Sequence, residues 1–223
     1  TGNFKDLQFK PGDPTVVYAV KIATPSEFHR STNTGDSWTQ ISSGIPTSGI
    51  GSRMVIGVSA ANGNYVYLLQ IKSSDGTLAN ILRSTDSGVN FSTTATGPNI
   101  LGYNCDGSGT ASQATYDLCM TVDPNNINNV FVGGINNWMS TDAGVNWTIS
   151  SHWVGSSFGV PCASSVHADQ HCYAWSPLNG RLYVGHDGGI HYSANGGTTW
   201  NEITNNLAIT QIYKIGQGTS NVN

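Results

Sequence analysis

The chain has 223 residues, a net charge of −4 and only 10% charged residues. Its nine Lys and Arg are scattered, which argues against a polybasic surface for nucleic acid or anionic lipid. No apolar run approaches the roughly 18 residues that a membrane-spanning helix needs. The chain is long enough to bury a sizeable core, and loops rich in Ser, Thr, Asn and Gly favour an exported protein, secreted or displayed on a cell surface.

One eight-residue pattern, here named the corner motif, recurs at nearly equal intervals. Its copies occupy residues 31–38, 84–91, 140–147 and 193–200, so their first serines lie 53, 56 and 53 residues apart. The defining residues are Ser31, Asn33, Gly35 and Trp38; Ser84, Asp86, Gly88 and Phe91; Ser140, Asp142, Gly144 and Trp147; and Ser193, Asn195, Gly197 and Trp200. A fixed period of this size indicates one supersecondary unit repeated along the chain.

Each residue type in the corner motif has a local physical role. Asp or Asn can bond the backbone two residues further on, and the serine hydroxyl offers a second local bond. The glycine accepts a positive φ without steric cost. The closing Trp or Phe buries a large ring. The motif therefore predicts a hairpin turn that is held by hydrogen bonds and anchored by an aromatic side chain.

Short β-rich runs surround every copy of the motif. In chain order the predicted strands are 7–9, 16–22, 28–30 and 38–41; 54–58, 65–71, 81–83 and from 91; 118–122, 130–133, 138–139 and 147–149; and 166–175, 182–185, 190–192 and 200–203. Four strands in each unit of about fifty residues predict an all-β fold, a β-propeller of four-stranded blades.

We place the blades at about residues 1–47, 48–100, 101–155 and 156–206, with the start of a further blade at 207–223. A terminal blade exposes an apolar face, so we expect these four blades to belong to a larger propeller, completed by remaining blades of the same parent chain. A closed four-bladed ring is the alternative.

The corner motif resembles the Asp-box, or BNR repeat, of sialidases, sortilin-type propellers and xyloglucan-cleaving glycosidases. The resemblance implies that the motif joins the third and fourth strands of each blade, away from any active site. The stretch from His167 to Tyr213 also looks like large secreted propeller proteins of Bacteroidetes-type bacteria. That likeness implies cell-surface display and export by type IX secretion machinery.

The four cysteines favour an oxidising compartment. Cys119 and Cys172 each lie five residues before a proline, at equivalent positions in blades 3 and 4, while Cys105 and Cys162 lie in the loops that lead into those strands. The simplest pairing is Cys105–Cys119 with Cys162–Cys172, one bridge in each blade. Four cysteines allow three pairings, and four free thiols are the alternative.

A polar cluster marks the predicted inner strand of blade 4. His167, Asp169 and His171 alternate along it, so they are expected on one face, with His186 and Asp187 nearby. Two imidazoles and a carboxylate suit a divalent metal such as zinc, and they equally suit acid–base chemistry, with Asp169 and Asp187 as catalytic candidates. A hydrogen-bonded lining between blades is the plainer interpretation. No other cofactor is expected.

Loop aromatics complete the candidate binding site. Tyr103, Trp153, Phe158 and Trp138 could stack on sugar rings or pack between blades. Only four arginines are present, and two of them directly precede corner motifs, which argues against a sialidase. Two hypotheses remain: a secreted or surface propeller that binds carbohydrate or protein without chemistry, and a glycoside hydrolase that uses channel-side carboxylates.

Overall fold

The computed structural model describes residues 2–154, 162–205 and 207, which form seventeen β-strands in four sheets. The predicted all-β propeller fold is confirmed: each sheet is a four-stranded antiparallel blade, and one blade carries an added edge strand. No helix in the described ranges is long and apolar enough to cross a bilayer. The further blade expected from residue 207 lies outside the described residues, except for residue 207 itself.

The strand bounds follow the repeat. Blade 1 contains β1 (Phe4–Phe9), β2 (Val17–Lys21), β3 (Glu27–Ser31) and β4 (Thr39–Ile41). Blade 2 contains β5 (Ile50–Val58), β6 (Val66–Lys72), β7 (Leu78–Ser84) and β8 (Ser92–Ala95). Blade 3 contains β9 (Cys119–Asp123), β10 (Asn126–Gly133), β11 (Asn137–Ser140), β12 (Thr148–His152) and β13 (Ser164–Ser165). Blade 4 contains β14 (Gln170–Trp175), β15 (Leu182–His186), β16 (Gly189–Ser193) and β17 (Asn201–Glu202).

The blades are meanders whose first strands lie innermost. β1 packs on β5, β5 on β9, and β9 on β14, so successive blades meet along their inner strands. Strand β13 runs parallel to β12 and adds a fifth strand to blade 3. The sequence predicted one inner strand over residues 166–175, whereas β14 begins only at Gln170 and residues 166–169 form no strand.

The hydrophobic core lies between the blades. Strand β6 contacts the core on both of its faces, which explains why its sequence is a nearly continuous apolar run. Leu68 belongs to the cluster shared with blade 1, and the adjacent Leu69 belongs to the cluster shared with blade 3. Both leucines are fully buried. Successive side chains of a strand point to opposite faces, and here both faces are covered, so neither face needs polar residues.

The four corner motifs form the turns between third and fourth strands. In blade 2, Ser84 Oγ donates to Asp86 Oδ1 at 2.7 Å and accepts from the Gly88 N–H at 2.9 Å. The same serine-to-Asx bond measures 2.9 Å at residue 31, 2.8 Å at residue 140 and 2.9 Å at residue 193. The carboxylate or amide oxygen then accepts backbone N–H groups further on, such as that of Asn90 at 2.9 Å. Each corner is thus closed by side chains of its own motif.

Three of the four corners also connect one blade to the preceding blade. A Cβ on Gly88 would lie 3.1 Å from the Tyr18 ring, one on Gly144 3.1 Å from Ile81, and one on Gly197 2.7 Å from Phe131. Each of these three neighbours lies on the blade that comes before. The glycines therefore permit close packing across the seams as well as a positive φ.

Blade 1 presents an open face. Among the described residues, a Cβ on Gly35 would come within 4 Å of none but its own Trp38, and Trp38 is 39% exposed, whereas Phe91 and Trp147 are each 7% exposed. Leu7 and Phe9 of β1 are about half exposed. In the described ranges, β1 has no packing against β14 comparable to that between the other inner strands.

Candidate functional site

The candidate site lies at one end of the propeller, here named the loop end. Strands β9 and β14 begin there, and it is formed by residues 102–118, 134–136, 166–169 and 187–188. In an antiparallel meander the start of the first strand and the second-to-third turn share one end, while the corner motifs lie at the other. The motifs thus stabilise the blades without occupying the site.

Three exposed side chains form a hydrogen-bonded group, here named the Tyr116 cluster. His171 Nε2 lies 2.6 Å from Asp187 Oδ1, and the Tyr116 hydroxyl lies 3.4 and 3.3 Å from the two Asp187 oxygens. The Tyr116 and His171 rings meet edge to face, with centroids 5.1 Å apart. Tyr116 is 51% exposed. The cluster presents a carboxylate, an imidazole and a phenol together to solvent.

The sequence predicted two members of this cluster and missed the third. His171 and Asp187 were binding candidates, and the structure brings them together. Tyr116 was not among the candidates, because it lies in an irregular segment that shows no strand periodicity. Its position just before an inner strand of blade 3, equivalent to the candidate stretch of blade 4, was the available signal.

Asp117 follows Tyr116 in the chain and is completely buried. Neither of its carboxyl oxygens accepts a hydrogen bond from the described residues. Burial, together with the nearby negative charges of Asp169 and Asp187, raises the pKa of Asp117 to about 8. Asp117 is therefore a neutral acid at pH 7, and with no exposed surface it does not reach a ligand in this conformation.

The predicted metal set, His167, Asp169 and His171, does not converge. Asp169 has a φ of 67°, and regular pairing of β14 begins only at Gln170, with a bulge before Cys172. This left-handed residue breaks the alternation on which the prediction rested. His167 instead stacks on His186 at 5.8 Å, while His171 binds Asp187. No group of three or more His, Cys, Asp or Glu in the described ranges could hold a metal ion.

His186 is a buried structural residue rather than an exposed ligand group. Its Nε2 lies 2.7 Å from Nδ1 of His191, and both side chains are buried. Burial, with smaller effects of the neighbouring imidazoles, lowers the pKa of His186 to about 4. Both rings are then neutral near pH 7, and one donates its N–H to the other. Asp169 retains a partly exposed carboxylate, whose Oδ1 accepts from Gln113 at 3.5 Å.

Tyr103 and Trp153 form a second exposed group, here named the aromatic pair. Their ring centroids lie 6.4 Å apart at 75°, and the side chains are 39% and 42% exposed. His152 Nε2 lies 2.9 Å from the Tyr103 carbonyl oxygen, and the Trp153 N–H donates to Asn136 Oδ1 at 2.9 Å. Phe158 lies outside the described residues, and Trp138 is buried in the core between blades 2 and 3.

All four cysteines are free thiols in this structure. Burial and the neighbouring Cys105 raise the pKa of Cys162 to about 11, and burial, with a smaller effect of Cys172, raises the pKa of Cys119. The sequence predicts a bridge between each loop cysteine and the strand cysteine of its own blade. No bridge is formed here, and that pairing stays a prediction.

The hollows at this end are open to solvent. One of about 240 Å³ lies between the turn at residues 72–76 and the segment at residues 112–115, and another of about 410 Å³ lies between residues 46–50 and residues 72–80. Sites that enclose a small molecule usually measure roughly 300–1,000 Å³, which the second hollow reaches, but neither hollow is lined by the Tyr116 cluster. A ligand that lies across the loop end, rather than one that is engulfed, suits this surface better.

No protein-family model and no curated protein sequence match this chain. Similar solved structures are propeller proteins. The GH74 xyloglucanase from Xanthomonas campestris has a TM-score of 0.64 and 19% identity, over 92% of this chain and 31% of that one. The GH74 enzyme from Niastella koreensis has a TM-score of 0.57 and 22% identity, over 91% of this chain and 24% of that one. YCF48 bound to D1 peptide has a TM-score of 0.56 and 14% identity, over 90% of this chain and 55% of that one. This chain therefore spans about a quarter to about half of these proteins, and the likeness concerns the fold.

Proposed function

We propose that this chain forms part of an extracellular propeller that binds carbohydrate at the loop end. The single observation that carries the proposal is the Tyr116 cluster, in which a carboxylate, an imidazole and an aromatic ring are exposed together. A carboxylate accepts sugar hydroxyls, an imidazole donates or accepts, and an aromatic ring offers an apolar face. The aromatic pair at the same end adds a second apolar platform.

A glycan chain fits the site better than a small polar molecule. The hollows of the loop end are open to solvent, and its exposed side chains are spread over two groups that lie outside these hollows. A hydrogen bond from the Gln170 N–H to the Gly134 carbonyl oxygen, at 2.8 Å, joins the segments beside the two groups across the seam of blades 3 and 4. A polymer could contact both groups at once and gain affinity from each.

Glycoside hydrolysis is the second candidate, favoured by the acidic side chains around Asp117. Hydrolysis needs two carboxyl groups that flank the scissile bond, one of them protonated. Asp117 is protonated at neutral pH but buried, so the partly exposed Asp169 and the exposed Asp187 are the groups that could meet a substrate. The buried position of the protonated partner is the reason for ranking binding first.

Further blades of the parent chain are part of the proposal. The open face of blade 1, with Trp38 and Leu7 exposed, has the composition of the surfaces that other blades bury. The GH74 and YCF48 structures are longer than this chain. The Asp-box character of the corner motif, display at the cell surface and export by type IX secretion machinery are proposed on the sequence resemblance.

The test is a glycan array probed with the purified chain, followed by product analysis on every glycan that is retained. We expect retention without turnover, and at least a tenfold loss of affinity in Tyr116→Ala and Asp187→Asn. Leu178→Ala is the matched control, because Leu178 is 94% exposed in the β14–β15 turn at the opposite end. Turnover that Asp187→Asn abolishes would favour the hydrolase. Retention of peptides but no glycan would favour a protein partner.

A further inference from the structure

The smaller hollow of the loop end lies where blades 1, 2 and 3 meet. It measures about 240 Å³, and its walls are Thr24 of blade 1, the start of β5, the β6–β7 turn and the segment at residues 112–115. A Cβ on Gly76, in the turn, would have Ser112 Oγ as its nearest described neighbour, at 4.0 Å. Because Gly76 has no side chain, the space between the turn and the segment stays open. We name this space the serine hollow.

Six hydroxyls line the serine hollow, and four of them are free to bind a ligand. Within the described part of the chain, these four make no hydrogen bond; they belong to Thr24, Ser52, Ser73 and Thr115. The other two are engaged: Ser74 Oγ donates to Asp75 Oδ2 at 3.0 Å, and Ser112 Oγ accepts from the Ala114 N–H at 3.0 Å. A free hydroxyl can donate one hydrogen bond and accept others, which matches the hydroxyls of a sugar.

The charges of the hollow favour a neutral ligand. Lys72 and Asp75 both line it, so their formal charges cancel. Asp75 Oδ1 already accepts from the Thr77 hydroxyl at 2.6 Å and from the Thr77 N–H at 2.9 Å, which leaves little of this carboxylate for a cation. Ile71 and Ala114 are buried beneath the hydroxyls and add apolar surface, which can contact the C–H groups of a sugar ring.

One short segment borders both the serine hollow and the Tyr116 cluster. Residues 112–115 line the hollow, and Tyr116 follows them directly. The Tyr116 N–H donates to the Gln113 carbonyl oxygen at 2.7 Å, so the segment turns back on itself here. The Gln113 side chain donates to Asp169 Oδ1 at 3.5 Å, on the side of blade 4. A ligand that leaves the hollow across this segment therefore meets the cluster.

We propose that the serine hollow binds one neutral sugar unit of the glycan whose other units contact the Tyr116 cluster. The inference rests on the proposed function, since it extends the same site along the loop end. The hollow is smaller than sites that usually enclose a whole small molecule, so it suits one unit of a chain. Affinity should rise with chain length until one glycan occupies both places. The ligand class is thus a neutral oligosaccharide that reaches from blade 2 to blade 4.

An array of neutral and acidic oligosaccharides, each spotted at several chain lengths, tests the proposal with the purified chain. Ser73→Trp fills the hollow from its exposed rim, in a blade that contributes no residue to the Tyr116 cluster. Ser52→Ala removes one free hydroxyl with little change of shape. Leu178→Trp is the matched control, because it adds the same ring at the opposite end, where Leu178 is 94% exposed. Circular dichroism melting checks that each variant is folded.

For the parent chain we expect binding to neutral glycans that strengthens with their length. Ser73→Trp should weaken binding of the long glycans by about tenfold or more and leave the short ones unchanged. Ser52→Ala should weaken binding of the long glycans by about two- to tenfold, the effect of one hydrogen bond. Leu178→Trp should bind as the parent does. Tyr116→Ala should weaken binding at every length.

The outcomes separate this inference from the proposed function. An equal gain with length in Ser73→Trp and in the parent chain would overturn the inference, as would retention of acidic glycans alone. If Tyr116→Ala still weakened binding in that case, the proposed function would stand. If the parent chain retained no glycan, both would fail. If Ser73→Trp did not fold, Ser52→Ala would decide, and the absence of a selective loss on long glycans would overturn the inference.

Discussion

Replacing Ser84 by alanine tests whether the corner motif stabilises the fold. The hydroxyl donates to Asp86 Oδ1 at 2.7 Å and accepts the Gly88 N–H at 2.9 Å, while a third contact, from the Asp86 N–H, is longer at 3.3 Å. Alanine removes all of these contacts. The side chain is 1% exposed, so water does not readily replace it.

The cost of Ser84→Ala comes mainly from Gly88. Its N–H becomes a buried donor without a partner, which costs about 1–3 kcal/mol. Asp86 is exposed and keeps its bonds from Asn90, so the loss there is smaller, about 0.5–1 kcal/mol. The sum is about 1.5–4 kcal/mol, which for a chain of this length corresponds to a melting temperature about 3–16 °C lower.

Thermal unfolding followed by circular dichroism at pH 7 measures this shift. Ser92→Ala is the control in the same blade, because Ser92 is exposed and, within the described part of the chain, its hydroxyl makes a single long hydrogen bond, to the Arg83 carbonyl oxygen at 3.4 Å. We expect the control to change stability by less than about 0.5 kcal/mol. If Ser84→Ala shifts the melting temperature no more than the control does, the motif does not stabilise the blade.

Three further predictions concern glycine, burial and a seam contact. Gly44→Ala should destabilise the chain far more than Gly12→Ala, as measured by urea unfolding. Both glycines have positive φ, but a Cβ on Gly44 would lie 1.8 Å from the Phe91 carbonyl oxygen, whereas one on Gly12 would meet no described atom within 4 Å. Equal losses of stability would contradict this explanation. Burial raises the pKa of Asp117 to about 8, so the stability that its protonated form contributes is complete below pH ~4 and is lost as pH rises towards 8. The free energy of unfolding of Asp117→Asn, measured by urea titration, should therefore rise relative to that of the parent chain between pH 5 and 8. A difference that stays constant with pH would refute the buried neutral acid. Tyr67→Phe should cost about 1 kcal/mol in the same assay, because the hydroxyl donates at 2.9 Å to a backbone carbonyl of blade 3, and no loss would show that this bond is not stabilising.

The sequence predicted the blades because the repeat and the strand periodicity agree. The first serine of each corner motif is the last residue of the third strand. The fourth strand begins one residue after the aromatic that closes the motif, as at Thr39 and Thr148. The mostly apolar β6 was also predicted as a strand over residues 65–71, and the structure explains its lack of polar alternation, since both of its faces are covered. These features are local, so they can be derived from neighbouring residues.

The candidate site was only partly predictable, because it depends on contacts between blades. One left-handed residue, Asp169, removed the alternation on which the metal prediction was built. The cysteine neighbours depend on which strand packs on which, and the spacing along the chain carries no such information. Tyr116 was missed because its segment is irregular, and only the folded chain places it beside Asp187.

The contact between each corner glycine and the preceding blade has an evolutionary consequence. Each repeat unit contains the glycine that packs against the preceding unit. In blade 3 this residue is Gly144, which lies close to Ile81 of blade 2. A tandem duplication of one repeat would therefore insert a blade that already fits its predecessor and offers a matching surface to its successor. Propellers built in this way can change their number of blades by copying, without first evolving a new joint.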